Sequence, residues 1–214
     1  MAKITQRKEQ KPDSKERILQ SAMFLFARKG FAEIGMRELA AKADVNLSMV
    51  NYFFGSKKGL LKEILDSFLS GYLDIAQEEL ATDNGLQVKI ERFVSSAISY
   101  FWLNRDSLII AISELPHDDP EIIEHKARWA MKMVDIVNKA ICQPLIVEGG
   151  QAVPATTLAP MLTSLMASRF LFAPVMEEVG DKKMKSVTIE NYSEIVVRLL
   201  LHGIDDTDCE AGSY

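Results

Sequence analysis

Ser48, Asn51 and Tyr52 place three outward hydrogen-bonding groups within little more than one helical turn. A carboxamide can pair with an adenine edge, and a serine hydroxyl can meet either kind of partner. A phenol can donate to a phosphate while its ring packs. That is the chemistry of reading a nucleic acid rather than of making or breaking bonds. An ordinary core helix gains nothing from three adjacent polar groups facing away from the core.

The elements that would hold them lie in MRELAAKADVNLSMVNYFFGSK, residues 36–57. This stretch reads as a short helix, a three-residue turn, a second short helix and a Gly-Ser-Lys that begins a third. It is the pattern of a helix-turn-helix, whose second helix enters the DNA major groove. Leu39, Ala40 and Ala43 form the inner face of the first helix, with Ala40 small enough for a close crossing. Val45 plugs the turn, and Val50, Phe53 and Phe54 are expected on the inner side of the second helix. A plain amphipathic helical hairpin would show the same periodicity, so the charge pattern matters.

Residues 1–62 hold thirteen Lys and Arg against six Asp and Glu, a surplus of seven, in a chain of net charge −5. Residues 63–214 therefore carry −12, and a basic head on an acidic body is expected of a nucleic-acid-binding module joined to a differently employed domain. Lys3, Arg7, Lys8, Lys11 and Lys15 are read as preceding the first helix, as an arm along phosphates or as a solvated terminus.

The hydrophobic share of 48% and charged share of 26% are those of a globular protein. Cys142 and Cys209 fit no metal or redox spacing. With Cys142 buried and Cys209 in the tail, they suggest a reducing cytoplasm. No signal peptide is recognised, and the apolar run at 162–176 is interrupted by Arg169 and Pro174, so no membrane span is expected.

The rest predicts an all-α chain. Asp13 and Glu16 resemble a capping box before a first helix that stops at Gly30. Ser56 caps a long helix to about Leu80, and Asn84-Gly85 breaks it. Helices then follow from Leu86 to Asn104 and from Ser107 to Glu114. Asp119-Pro120 opens another, from Glu121 to about Cys142. A loop over 144–154 leads to two apolar helices near 157–178 and 188–201, and an acidic tail closes the chain. The implied domains are an arm and helix-turn-helix head (1–56), a helical body (57–204) and a disordered tail (205–214).

Three runs of residues now match a known layout: Phe26-Ala27-x-x-Gly30-Phe31, Met36-Arg37-x-Leu39-Ala40-x-x-Ala43-x-Val45, and Val50-x-Tyr52-Phe53-Phe54-x-Ser56-Lys57-x-x-Leu60-Leu61. The chain resembles the tetracycline-repressor (TetR) family of transcriptional regulators over roughly Ile18 to Leu61. Beyond that stretch it matches only in length and helical character. Four positions depart from the family's habit. Gly35 stands where a capping Thr is frequent, and Asp44 replaces a turn glycine. Asn51 replaces a common tyrosine, and Leu47 sits where polar residues are usual and can meet a thymine methyl.

The resemblance implies a three-helix DNA-binding head joined by a linking helix to a ligand-binding and dimerisation body. It implies a homodimer on a palindromic double-stranded DNA operator, with half-sites about one turn apart, roughly 34–36 Å, or a multiple of it. The DNA contacts would be Arg37, Asn46, Leu47, Ser48, Asn51, Tyr52, Phe53 and Lys57. The last two helices would pair with their copies through Leu158, Met161, Leu162, Leu165 and Met166 and through Ile195, Val196, Leu199 and Leu200. An unidentified small-molecule effector would meet Phe101, Trp102, Trp129, Met133, Arg169 and Phe170, with Phe172, Tyr100, His125 and Asn104 as further candidates. Core packing is the competing reading for each, because aromatic and methionine stripes at helical spacing usually fill a core.

No cofactor or metal is expected. His117-Asp118-Asp119 with Glu121 and His125 is the one conceivable metal cluster, and a solvated acidic loop and helix start is the better explanation of it. No phosphate loop or nucleophile elbow occurs, so an enzyme is not expected. The alternative to a ligand-released repressor is an architectural or adaptor DNA-binding protein with no effector.

Overall fold

A computed structural model describes residues 13–113, 119–147, 153–179 and 187–203. Among these the regular structure is all helical, as expected. The helices are α1 (Ser14–Lys29), α2 (Met36–Lys42), α3 (Leu47–Phe54), α4 (Lys57–Leu80), α5 (Leu86–Leu103), α6 (Arg105–Ser113), α7 (Pro120–Val137), α8 (Gln143–Val147), α9 (Ala155–Val179) and α10 (Ile189–His202). The chain divides into two compact units, Met1–Ile64 and Leu65–Tyr214, and α4 contributes residues to both.

In the first unit α1, α2 and α3 pack on one another. Asp13 caps α1 by accepting from the amides of Lys15 and Glu16, while the Glu16 carboxylate accepts from Gln20 instead of closing a capping box. Gly30 ends α1 at φ 83°, with Arg28 and Lys29 in the last turn. The core is Ile18, Ala22, Leu25, Phe26, Ile34, Leu39, Ala40, Val50, Phe54, Leu60 and Leu61, all buried. Lys15 belongs to α1 rather than to an arm before it. Its Nζ lies 2.7 Å from Glu63 Oε1 and sits over the Phe54 ring. The arm residues Lys3, Arg7, Lys8 and Lys11 lie outside the described residues.

The second unit is built around stacked aromatic rings. Tyr72 meets Phe93 and Phe101, Phe68 meets Tyr100 and Phe101, and Phe170 meets Phe101 edge-on. The Tyr72 hydroxyl is buried and lies 3.0 Å from Thr163 Oγ1, and burial pushes its phenol far above the usual range. Tyr100 donates to the Phe68 carbonyl at 2.8 Å, an approach that Gly71 permits: a Cβ there would stand 2.5 Å from the phenol oxygen. Cys142 is buried, which raises its thiol. Cys209 is outside the described residues.

Two sequence expectations change here. The helix entered at Asp119-Pro120 does not stop at Cys142 but continues through Pro144 to Val147. A π-helical turn over Asn138–Cys142 makes this possible, with the Gln143 amide donating to the Asn138 carbonyl. The wider turn shifts the hydrogen-bond ladder just before Pro144, which has no N–H to contribute. The shorter helix α6 also begins at Arg105, two residues earlier than read.

By length and composition α9 is the one described helix apolar enough to cross a membrane. It nevertheless packs Ala159, Leu162, Met166, Ala167 and Phe170 into the second unit's core. Of the stripes assigned to a partner chain, Leu162, Met166 and Val196 are thus spent inside the chain, because the same faces meet α5 and α7. Met161 and Ile195 remain exposed, as do Phe172, Val175 and Met176.

Candidate nucleic-acid interface and ligand cleft

The helix-turn-helix is held by backbone and cap geometry. The Ala43 amide closes α2 by donating to the Leu39 carbonyl at 3.0 Å, and Asp44 then takes φ 54°, the left-handed conformation a turn glycine would adopt. The Val45 amide returns to the Ala40 carbonyl at 3.0 Å, with Val45 half-buried. Asn46 caps α3: its Oδ1 accepts from the Met49 amide at 3.0 Å and from the Ser48 hydroxyl. Two expected DNA contacts, Asn46 and Ser48, are therefore also bonded to each other. Gly35 starts α2 with no side-chain cap, and a Cβ there would meet nothing within 4 Å.

Val50 and Phe54, four residues apart, form the buried stripe of α3. Asn51 and Tyr52 are exposed, Tyr52 at 84%. Phe53, expected inside, is 37% exposed, because it is rotated about 100° from Phe54 around the helix. Its ring lies 5.2 Å from that of Tyr52, edge to face, so the two form one aromatic ledge beside Asn51. Leu47 is half-buried, and Arg37 is exposed on the first turn of α2.

Lys57 plays a part that its spacing did not reveal. Its Nζ donates to the carbonyls of Ile34 at 2.7 Å and Ala32 at 3.2 Å, and lies 4.4 Å above the Phe31 ring. It thereby ties the start of α4 to the loop before α2. Gly59, a second residue missed from sequence, closes the α3–α4 turn. A Cβ there would lie 2.1 Å from the Phe54 carbonyl oxygen. The available signal was a glycine three residues after the capping Ser56, whose Oγ accepts from the Gly59 amide at 3.0 Å.

In the second unit the six effector candidates do not line one cavity, although the Phe170 ring meets those of Phe101 and Trp102. Phe101, Met133 and Phe170 are packed in the core, and Trp102 is half exposed. Arg169 is half-buried with its guanidinium 5.7 Å over the Tyr192 ring. Phe172 is exposed, and Asn104 bonds the Tyr100 carbonyl at the end of α5. Only Trp129 lines the cleft of about 640 Å³ that opens between α4 and α7. The other walls were not foreseen, because Lys132, Asp135 and Lys139 read as a solvated helix face.

Beside the cleft, Asp66 Oδ1 accepts from Trp129 Nε1 at 2.7 Å and pairs with His125 Nε2 at 2.6 Å. Arg128 Nη2 lies 3.0 Å from His125 Nδ1. A guanidinium can only donate, so Nδ1 accepts and Nε2 carries the proton donated to Asp66. His125 is thus a buried link from α7 to α4. No described group of three His, Cys, Asp or Glu side chains can hold a metal, and His117 and Asp118 lie outside the described residues.

The sequence profile described as "Bacterial regulatory proteins, tetR family" matches residues 18–64, the stretch whose geometry has just been given. A probable HTH-type transcriptional regulator, YttP, from Bacillus subtilis is 29% identical, over 79% of this chain and 83% of its own length. Over residues 18–64 the chain carries the DNA-binding domain of the TetR family. The HTH-type transcriptional repressor SCO4008 of Streptomyces coelicolor is 25% identical, over 78% of this chain and 82% of its own length. The fold is also that of the regulator FadR from Bacillus subtilis, solved in complex with stearoyl-CoA. That match has a TM-score of 0.69 at 15% identity and covers 89% and 99% of the two chains. The protein is a DNA-binding transcriptional regulator of bacterial type.

Proposed function

We propose that this TetR family regulator acts as a homodimeric repressor, in the cytoplasm, on a palindromic operator that it releases on binding a small molecule. The observation that carries the reading is the exposed Asn51, Tyr52 and Phe53 on a helix whose other side is locked into the first unit's core. A carboxamide beside an aromatic ledge suits base-edge recognition with neighbouring phosphate or thymine-methyl contact. Arg37, Asn46, Leu47 and Ser48 would complete the contact set. Lys57 would join it only through donor capacity left over from the loop carbonyls.

Dimerisation is supported by the exposed apolar side chains of α9 and α10, Met161, Phe172, Val175, Met176 and Ile195. Contiguous exposed apolar surface on a monomer marks an interaction site. Effector release draws support from the cleft beside α4 and from the FadR structure, which was solved with a bound acyl thioester. Repression is the role of the SCO4008 relative. The domain boundary of function would fall within α4, which runs unbroken from one compact unit into the other.

The test is selection of bound genomic DNA by the full chain, followed by measurement of stoichiometry and of release across a metabolite panel. An inverted-repeat site bound by two chains supports the reading, and a non-repeated site bound by one chain overturns it. A second reading, a DNA-binding adaptor without effector, is favoured by the dense packing of Phe101, Met133 and Phe170. It would win if no metabolite changes operator affinity or melting temperature, since a ligand at 100 times its Kd adds about 2.7 kcal/mol of stability.

A further inference from the structure

We infer that the α4–α7 cleft is a binding site for an organic phosphate: a phosphoryl group held by Lys89, Lys132 and Lys139, with its organic body against Trp129. The inference rests on the reading of the chain as a ligand-responsive regulator and names the ligand class that reading leaves open.

Three observations lead to it. The first is charge placed against the trend of its surroundings. Residues 63–214 carry a net charge of −12, yet the cleft gathers three lysines against two aspartates, Asp74 and Asp135. Among the described residues none of the three lysines is ion-paired with a carboxylate. Ammonium groups that line one recess without a carboxylate partner raise the local concentration of anions.

The second is the type of cation. No arginine lines the cleft. A lone carboxylate is best met by the planar two-point fork of a guanidinium, whereas lysines serve phosphates as point charges placed around the oxygens. Three point charges suit a group carrying more than one negative charge better than a single carboxylate. Asp74 and Asp135 would meet a hydroxyl or amino group on the ligand's body, and they would disfavour a bare polyanion. The charge of Asp74 already reaches Tyr100, whose phenol it raises in addition to the larger effect of burial.

The third is the α7 stripe itself. Trp129, Lys132 and Ile136 follow one another at helical spacing on one side of α7, Lys139 joins them from the π-helical turn that continues it, and Leu73 lines the cleft from α4. The ammonium of Lys132 lies 4.3 Å from the Trp129 ring centre, which holds one cation next to a flat apolar surface before any ligand arrives. The same indole donates to Asp66 on α4. A ligand that moves Trp129 therefore acts directly on the Asp66–His125 link between the two helices.

Trp102 and Trp129 are the chain's two tryptophans, so Trp102→Phe leaves Trp129 as the sole indole reporter in the full-length protein. Phenyl phosphate titrated into this variant at constant ionic strength should change Trp129 emission saturably. Benzoate, with the same ring and a carboxylate, should bind at least about tenfold more weakly. Adding Lys139→Gln, and separately Lys132→Gln, should each weaken phenyl phosphate by about tenfold, equivalent to ~1.4 kcal/mol. Circular dichroism checks that each variant keeps its helices, and either lysine variant alone suffices. No saturable response, equal affinity for benzoate, or indifference to the folded lysine variants overturns the site. Operator release is measured separately: binding without release leaves the cleft standing and removes the effector reading, and release by other metabolites without phenyl phosphate binding does the reverse.

Discussion

Lys57 Nζ stands 2.7 Å from the carbonyl oxygen of Ile34, twenty-three residues earlier in the chain. A side chain that looks like a phosphate contact thus closes a loop first, donating to Ala32 as well and covering the Phe31 ring. Charge-assisted hydrogen bonds contribute more than neutral ones, and this ammonium is half-buried. Lys57→Ala should lower stability by about 1–2 kcal/mol, read by chemical denaturation. Lys57→Met, which keeps the stem over Phe31, should recover part of that loss. Operator binding should weaken on all sequences with a shallower salt slope only if Lys57 also meets a phosphate. An unchanged denaturation midpoint in Lys57→Ala would show that the clasp does not support the loop.

Asp44 supplies a cleaner test of turn energetics. It is the one described non-glycine residue at positive φ, 54°, and its side chain is almost fully in water. Left-handed backbone costs an L-residue roughly 1–2 kcal/mol, less for Asp, and glycine removes that term. Arg17 Nη1 reaches the Asp44 backbone carbonyl at 3.3 Å, a contact the substitution keeps, and pairs with the solvent-exposed Asp44 carboxylate at 3.5 Å, a contact it removes at little cost. Asp44→Gly should therefore raise stability by up to about 1 kcal/mol, whereas Asp44→Val should lower it by about 1–2 kcal/mol. Melting curves of the two variants falling on the same side of the parent would contradict the turn assignment.

Asn51→Ala isolates recognition from folding. The Asn51 backbone carbonyl accepts from Gly55, and truncating the exposed side chain leaves that bond intact. A bidentate amide–adenine contact is worth about 1–3 kcal/mol of discrimination. The variant should lose preference of that size at one base pair in each half-site, with an unchanged salt slope and melting temperature. Competition binding against single-base operator variants measures it. Equal loss on every sequence would assign Asn51 to the backbone instead.

The parts of this fold that were legible are those governed by local chemistry. The caps at Asp13, Ser56 and Asp119 stand one residue or less from their helices, and each accepts from a backbone amide in the following turn. The buried pair Val50 and Phe54 follows from a period of 3.6. Phe53 was misplaced because positions i, i+3 and i+4 share one broad face, and only the Val50–Phe54 edge of that face meets the core, leaving Phe53 at its rim. Pro144 was read as a stop because a π-helical turn leaves no simple sequence mark. The ligand cleft was the least legible feature. Its lysines and aspartates resemble any solvated helix, and only the fold shows that α4 and α5 bring further charged groups to the same recess. Of the aromatic residues that drew attention as ligand contacts, Phe101 and Phe170 are packed in the core, whereas Trp129 lines the cleft.

Gly59 makes the last and sharpest demand on the backbone. It lies inside α4, where glycine is ordinarily inferior to alanine by about 1 kcal/mol. On helix propensity alone, Gly59→Ala should stabilise the protein. The turn geometry reverses that expectation, since the added Cβ would fall 2.1 Å from the Phe54 carbonyl oxygen. A backbone atom cannot rotate aside as a side chain can, so either α3 or the first turn of α4 must shift. The neighbouring contacts oppose a shift, because Phe54 and Leu60 are both buried in the first unit's core and the Ser56 hydroxyl is bonded to the Gly59 amide. Gly59→Ala should therefore destabilise by about 2–4 kcal/mol, the range of strained or overpacked core sites. Because the shift would reorient α3, operator affinity should fall even under conditions where the variant is fully folded. Gly71→Ala is the control: a Cβ there meets only the Tyr100 side chain, so its cost should be smaller and should leave DNA binding at low temperature intact. Equal stability of Gly59→Ala and the parent in urea would mean that the α3–α4 turn is not held as tightly as this contact requires.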